Sequence, residues 1–320
     1  MKQITDFPSV PLALLPTPLY KLENLSRETG KNIYIKRDDM TGAALGGNKV
    51  RKLEFLLADA RAKGADVVLT AGGPQSNHAM LTAACAAKLG MSAILVLKKR
   101  GVLSGGNLIL DEIFGAEVRF VDTDSYDGVY AEMERIMADL RAQGHTPYFI
   151  PVGGSVPLGC LGYVNCAKEI ANQAEDLGVD FDIIVSATGS GGTYAGLTLG
   201  AKLFLPGTVS VGIGVCDDPF EAISLDLMRE TAALLEADVP VEAADIHIHY
   251  HIGPGYAIPS PEGAAAVRRL ARTEGILVDP VYTGKALAGF FQLLEEDSAF
   301  RDAENILFLH TGGAGALFAV

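Results

Sequence analysis

Short apolar runs of strand length alternate with longer amphipathic segments along most of this 320-residue chain, and no other feature constrains its fold as much. Strands are expected over 32–36, 67–70, 94–97, 118–121, 148–150, 181–186, 209–215, 247–252 and 306–309. Helices are expected to begin near Ser76 and to run over about 108–114, 127–143, 161–177, 219–235, 261–274 and 285–295, with another carrying Leu197, Leu199 and Leu203. Strands joined by helices pair in parallel, so the fold class is α/β: two open, twisted, mostly parallel sheets flanked by helices. The glycine-rich segment 151–155 reads as the crossing between two lobes. Residues 51–159 form a small α/β domain, and 1–50 with 160–320 form a large one. Pro8, Pro11, Pro16 and Pro18 keep the first arm extended.

Composition narrows the function. With 49% apolar residues and 36 glycines there is material for a large core. The net charge of −13 argues against a nucleic-acid partner, which would require a basic face. Residues 1–10 lack the basic and apolar regions of a signal peptide, and no apolar run reaches the roughly 18 residues of a membrane span. A cytoplasmic protein with no membrane partner is expected. Cys85, Cys160, Cys166 and Cys216 are scattered, which points to buried free thiols and to no metal site.

Two local patterns carry chemistry. In Gly46-Gly47-Asn48-Lys49-Val50-Arg51-Lys52 a glycine pair delivers a lysine to the mouth of a helix whose buried face is Leu53, Leu56, Leu57 and Ala60. The glycines leave room for a planar ligand, and the cations Arg51 and Lys52 favour a neutral amine on Lys49, as a nucleophilic lysine requires. In Ser186-Ala187-Thr188-Gly189-Ser190-Gly191-Gly192-Thr193 a glycine turn joins a strand to a helix. Backbone amides and hydroxyls there form a cup for a dianion at the positive helix end. The cup lacks the Gly-Lys-Ser/Thr ending of a P-loop and the GxGxxG register of a dinucleotide fold, so a nicotinamide oxidoreductase is the weaker alternative. An aldehyde that needs an amine and a phosphate that needs donors meet in pyridoxal 5′-phosphate.

Six stretches then show a resemblance: the Lys49 segment, Gln75-Ser76-Asn77-His78, Ile150-Pro151-Val152-Gly153-Gly154-Ser155, the Thr188 to Thr193 cup, Pro280-Val281-Tyr282-Thr283-Gly284-Lys285 and His310-Thr311-Gly312-Gly313. In this order they resemble the D-cysteine desulfhydrase and 1-aminocyclopropane-1-carboxylate deaminase family, pyridoxal-phosphate enzymes of the tryptophan-synthase-β-like fold. The resemblance implies Lys49 as the Schiff-base lysine and proton shuttle, with Asn48 beside it. It implies that Asn77 bonds the cofactor's phenolic oxygen, and that Thr188, Gly189, Ser190, Gly191, Gly192 and Thr193 hold the phosphate. Ser76, Asn77, His78, Gly154 and Ser155 would hold the substrate carboxylate or border its pocket. Tyr282 and Tyr256 would lie near the reacting carbon and the leaving group. A helix N-cap is the ordinary role for Ser76, and a core hydrogen bond the ordinary role for His78.

Thr283 bears on the branch. The cyclopropane-opening members carry a glutamate there, which keeps the pyridine nitrogen protonated; a threonine resembles the desulfhydrase branch. The implied reaction is α,β-elimination on a small amino acid, D-cysteine first, giving pyruvate, ammonia and sulfide, in a homodimer. L-Cysteate sulfo-lyase and aminocyclopropane-carboxylate deaminase are the alternatives within the class. An inactive small-molecule sensor is the alternative outside it, opposed by the joint retention of Lys49, Ser76, Tyr256, Tyr282 and Thr283. Ala79-Met80-Leu81 and Val156-Pro157-Leu158 depart from the family pattern and are expected to border the substrate pocket. No cation is evident for a sulfonate leaving group.

Overall fold

The computed structural model describes residues 1–255 and 257–319. The arm over 8–18 is free of helix, as its prolines require, and leads into β1 (Leu19–Lys21), α1 (Glu23–Thr29) and β2 (Asn32–Arg37). Next come α2 (Lys49–Ala62), β3 (Val67–Gly72), α3 (Asn77–Lys88), β4 (Ser92–Lys98), α4 (Asn107–Ile113), β5 (Glu117–Val121), α5 (Tyr126–Ala142) and β6 (Pro147–Ile150). The chain continues through α6 (Pro157–Leu177), β7 (Ile183–Thr188), α7 (Gly192–Phe204), β8 (Val209–Gly214), α8 (Phe220–Leu234) and β9 (His247–Tyr250). It ends with α9 (Pro261–Glu274), α10 (Thr283–Glu296), α11 (Ser298–Asp302) and β10 (Asn305–His310).

Two sheets result. The larger has the order β1-β2-β10-β7-β8-β9, parallel except for the antiparallel edge strand β1. The smaller has the order β5-β4-β3-β6 and is wholly parallel. Strand period decides which side chain meets which helix. In β3, Val67, Leu69 and Ala71 face Met133 and Ile136 of α5, while Val68 faces the core shared with α2 and α3. In the larger sheet Val185, Ile213 and Phe308 face α9 and α10, whereas Ile184 and Leu307 pack against α6 and α7. Phe308 is 1% exposed, and truncating such a residue costs about 3–5 kcal/mol.

Helices α6 and α7 approach closely because Gly196 and Gly200 face the partner helix. A Cβ on Gly196 would stand 2.4 Å from the carbonyl oxygen of Cys160. The same device brings α2 onto α6, where a Cβ on Gly162 would meet the carbonyl oxygen of Arg51 at 2.4 Å. A buried ionic network fixes this junction. Arg51 grips Asp38 through Nε and Nη2, both at 2.8 Å, and Glu169 at 2.9 and 3.0 Å, while Lys36 pairs with Glu169.

Nearly every expected element is present, with ends moved by a few residues. Helix α6 starts a turn earlier than expected because Pro157 suits a first helical position. Helix α1 was not expected: its sequence, Glu-Asn-Leu-Ser-Arg-Glu-Thr, has no apolar period, and it is held instead by Leu25 packed under α9 and by the Gly30 cap at φ 70°. All four cysteines are free and buried. Among the described residues no helix is long and apolar enough to cross a membrane, and no cluster of metal-ligating side chains occurs.

Candidate active site

Parallel strands leave their carboxyl ends open to ligands. Here the ends of β3, β4, β6, β7 and β10 converge on one cavity of about 440 Å³ between the two sheets. Its walls carry Asn48 and Lys49, then Ser76, Asn77 and His78. On the opposite side stand Thr188, Gly189, Ser190, Gly191 and Thr193, with Tyr282 and Thr311 beside them. Motifs scattered over more than 200 positions of sequence thus meet in one place.

Lys49 is the first residue of α2, and its amine opens on the cavity with no hydrogen bond or ion pair among the described residues. Burial, and then the cation of Lys52, push its pKa well below the usual lysine range. The sequence alone points to Arg51 as a second such cation. That part is corrected: Asp38 and Glu169 neutralise Arg51, leaving Lys52 as the cation that acts on Lys49. The glycine pair also works differently from the expectation. A Cβ on Gly46 would stand 1.8 Å from the carbonyl oxygen of Asp39, so this glycine makes room for the protein's own backbone.

The cup follows β7. Gly191 takes φ 80°, turning the chain into α7 with its first amides facing inward. Asn48 donates from Nδ2 to the Thr193 hydroxyl at 3.0 Å, which ties the lysine segment to the cup. Ser155 belongs to the cup too: its hydroxyl donates to Ser190 Oγ at 2.9 Å and accepts from the Gly192 N–H at 3.2 Å. Gly154, Ser155 and Gly192 stand behind the lining, not on it.

Lys52 was missed as a site residue. It is fully buried, and its ammonium donates to the carbonyl oxygen of Gly153 at 3.0 Å and reaches Ser155 Oγ at 3.4 Å. A Cβ on Gly192 would lie 2.8 Å from this nitrogen. Burial alone pulls its pKa down to about 8, for no carboxylate among the described residues pairs with it. A buried cation without a counter-ion, beside glycine amides at a helix N-terminus, fits a phosphate dianion. The residues present therefore suit pyridoxal phosphate, with the amine of Lys49 for its aldehyde and Lys52 and the cup for its phosphate. The local sequence could not reveal this, since Lys52 and Gly153 are 101 positions apart.

Ser76 caps α3, accepting from the Ala79 N–H at 3.1 Å, and its own proton remains for an anion at the helix end. His78 meets Thr70 through Nε2 at 2.8 Å, and Thr70 donates onward to the carbonyl oxygen of Ile150 at 2.9 Å. The imidazole must then donate from Nε2, so its buried Nδ1 is a bare acceptor. Burial, with Lys49 and Lys52 nearby, pushes its pKa well below the usual range, so His78 is neutral.

Tyr282 stands against Gly189, where a Cβ would lie 2.9 Å from the ring. Thr283, one residue on, is fully buried and does not line the cavity. Its hydroxyl donates to Asp279 Oδ1 at 2.5 Å. Asp279 also accepts the backbone N–H groups of Val281, Tyr282 and Thr283, capping α10 and fixing Tyr282. Tyr256 lies outside the described residues. Ala79, Met80 and Leu81 do not border the cavity as expected; α3 turns them into the core with Val68 and Leu95. Val156 and Leu158 likewise pack on that core. The structure instead brings Lys98 and Arg100 to the cavity wall. The Lys98 ammonium lies 3.7 Å from the centre of the Tyr126 ring and donates to the Asp124 carbonyl oxygen at 2.8 Å.

Comparison with known proteins agrees with this chemistry. Residues 10–312 match the family described as pyridoxal-phosphate dependent enzyme. A D-cysteine desulfhydrase of Yersinia enterocolitica is 46% identical over 326 residues, covering 99% of this chain and 97% of the relative. One from Klebsiella pneumoniae subsp. pneumoniae is 43% identical over 325 residues, covering 100% and 98%. Among solved structures, the crystal structure of an ACC deaminase homologue superposes with a TM-score of 0.91 at 44% identity, covering 98% of this chain and 94% of that one. The cavity with Lys49 on its wall, the buried Lys52 behind it and these matches together make the chain a member of the family of pyridoxal-phosphate dependent enzymes.

Proposed function

We propose that the protein is a lyase that eliminates sulfide from D-cysteine, giving pyruvate and ammonia. The observation that carries the reading is the pairing, across one cavity, of the Lys49 amine held off its charged form with an anion cup backed by the uncompensated cation of Lys52. The naming of two relatives above 40% identity as D-cysteine desulfhydrase supports the substrate.

Bound pyridoxal phosphate supplies a conjugated ring that accepts the electron pair left at the α-carbon when its proton departs. The chain does the rest. Lys52, Ser190 and the amides of Gly189, Gly191 and Thr193 would hold the phosphate, and Asn77 would meet the phenolic oxygen. Ser76 and the first amides of α3 bind the substrate carboxylate at the positive helix end, with neutral His78 beneath them. Lys49 takes the α-proton, since burial and Lys52 keep its amine unprotonated. Tyr282 is the alternative proton carrier, placed against Gly189 and fixed by Asp279. Thr283 would support the cofactor ring from behind the wall.

A second reading has its own observation. Lys98 at the wall supplies a cation that a sulfonate leaving group needs, while Arg100 beside it is paired with Asp122 and Asp124, and this favours L-cysteate as substrate. Residues 51–159 form the small domain and 1–50 with 160–320 the large one, a division supported by the separate sheets. The chain works in the cytoplasm as a homodimer; exposed Leu45, Ile109, Ile113 and Phe318 support a second copy.

Purified protein incubated separately with D-cysteine, L-cysteate and 1-aminocyclopropane-1-carboxylate tests the reading through the product released. Sulfide and pyruvate in equal amounts from D-cysteine are expected. Sulfite from L-cysteate would move the assignment to the second reading, and 2-oxobutyrate or no product would refute both.

A further inference from the structure

Asn107 belongs to none of the sequence motifs, yet it touches one of them directly. It is fully buried in the first turn of α4. Its backbone N–H donates to Gln75 Oε1 at 2.9 Å. Its side-chain Nδ2 donates twice, to the carbonyl oxygen of Gln75 at 2.9 Å and to Asn77 Oδ1 at 2.8 Å. A backbone carbonyl can only accept, so the Gln75 contact fixes which end of the Asn107 amide is nitrogen. That nitrogen also faces Asn77, and the Asn77 atom meeting it must therefore be oxygen. The NH2 group is then the only polar end of Asn77 left for whatever the cavity holds.

The surroundings hold this arrangement in place. Gln75 spreads its Nε2 over the carbonyl oxygens of Val102, Ser104 and Gly105, each at 3.3 Å, binding the loop after β3 to the loop before α4. On the other side a Cβ at Gly315 would stand 2.2 Å from Asn107 Oδ1, so the pocket around the amide has no slack.

We propose that Asn107 is a positioning residue that locks the Asn77 amide so that it presents N–H donors, not its oxygen, to the cofactor's phenolic oxygen. The inference rests on the reading that Asn77 meets that oxygen. Without the lock the amide turns over and sets oxygen against oxygen, which disfavours the ionised phenol. Loss of one hydrogen bond to a charged acceptor amounts to about a tenfold change in the balance between ionised and neutral forms.

The test is the absorption spectrum of the cofactor-loaded protein at fixed neutral pH, read as the ratio of the near-ultraviolet band of the neutral phenol to the yellow band of the ionised one. Asn107→Leu removes the donor. Asn107→Asp keeps the shape but attracts the Asn77 NH2 group, and serves where the leucine variant does not fold. Both are expected to raise the ratio about tenfold, as is Asn77→Ala, and Asn107→Leu should add nothing in the Asn77→Ala background. An unchanged ratio in Asn77→Ala would remove the Asn77 reading and the proposal with it. A shifted Asn77→Ala beside unshifted Asn107 variants, or an Asn107→Leu effect undiminished in the double variant, would overturn the proposal alone.

Discussion

The ammonium of Lys52, one helical turn beyond Lys49, donates to the carbonyl oxygen of Gly153 across 3.0 Å and reaches, at 3.4 Å, the Ser155 hydroxyl that accepts from the Gly192 N–H of the cup. If it is the counter-ion of the phosphate, Lys52→Met should weaken cofactor binding by about ten- to a hundredfold, measured by titrating cofactor into the stripped protein. The pH dependence has a definite sign. With its pKa lowered to about 8, empty Lys52 is charged at about pH 7 and loses that charge as pH rises. Cofactor affinity should fall from about pH 7 to about pH 9 in the wild type and vary less in Lys52→Met.

Arg51 carries a stability prediction. Arg51→Met leaves Asp38 buried and unpaired, an expected cost of about 3–5 kcal/mol in denaturant unfolding. Arg51→Lys should recover little, since a point charge cannot span both carboxylates. Burial would raise Asp38 and Glu169, but Arg51 outweighs it and holds both below the usual carboxylate range. Their contribution is therefore present above that range and lost as pH falls through the lowered values, so acid unfolding of the wild type should be steeper than that of Arg51→Met.

Thr283 and Asp279 set a limit on converting one activity to another. Thr283→Glu would place a second carboxylate against Asp279, whose pKa burial already raises. The expected outcome is a loss of about 3 kcal/mol of stability and no 2-oxobutyrate from the cyclopropane substrate. A stable variant that gained ring opening would show that residue 283 alone decides the branch.

The sequence was most legible where chemistry is local. Lys49 at a helix mouth, the 188–193 turn and the Ser76 cap are each contained in a few residues, and the apolar run 67–70 marked a buried strand. What could not be read depends on distant partners. Arg51 resembled a cation pressing on Lys49 until Asp38 and Glu169 were placed around it. Lys52 finds Gly153, and Asn77 finds Asn107, only through folding. The facing of α3 also misled: Ala79 to Leu81 follow the site in sequence but turn into the core. Thr283 sits next to Tyr282 in the chain, yet only Tyr282 reaches the cavity wall.

The proposed reaction requires Lys49 to be the amine that joins the cofactor. Borohydride reduction of the cofactor-loaded protein, followed by digestion and peptide mass measurement, tests it directly. A pyridoxyl adduct is expected on the peptide bearing Lys49 and none in Lys49→Ala, which should also release sulfide from D-cysteine about a thousandfold more slowly. An adduct on Lys52 or any other lysine, or sulfide release undiminished in Lys49→Ala, would contradict it.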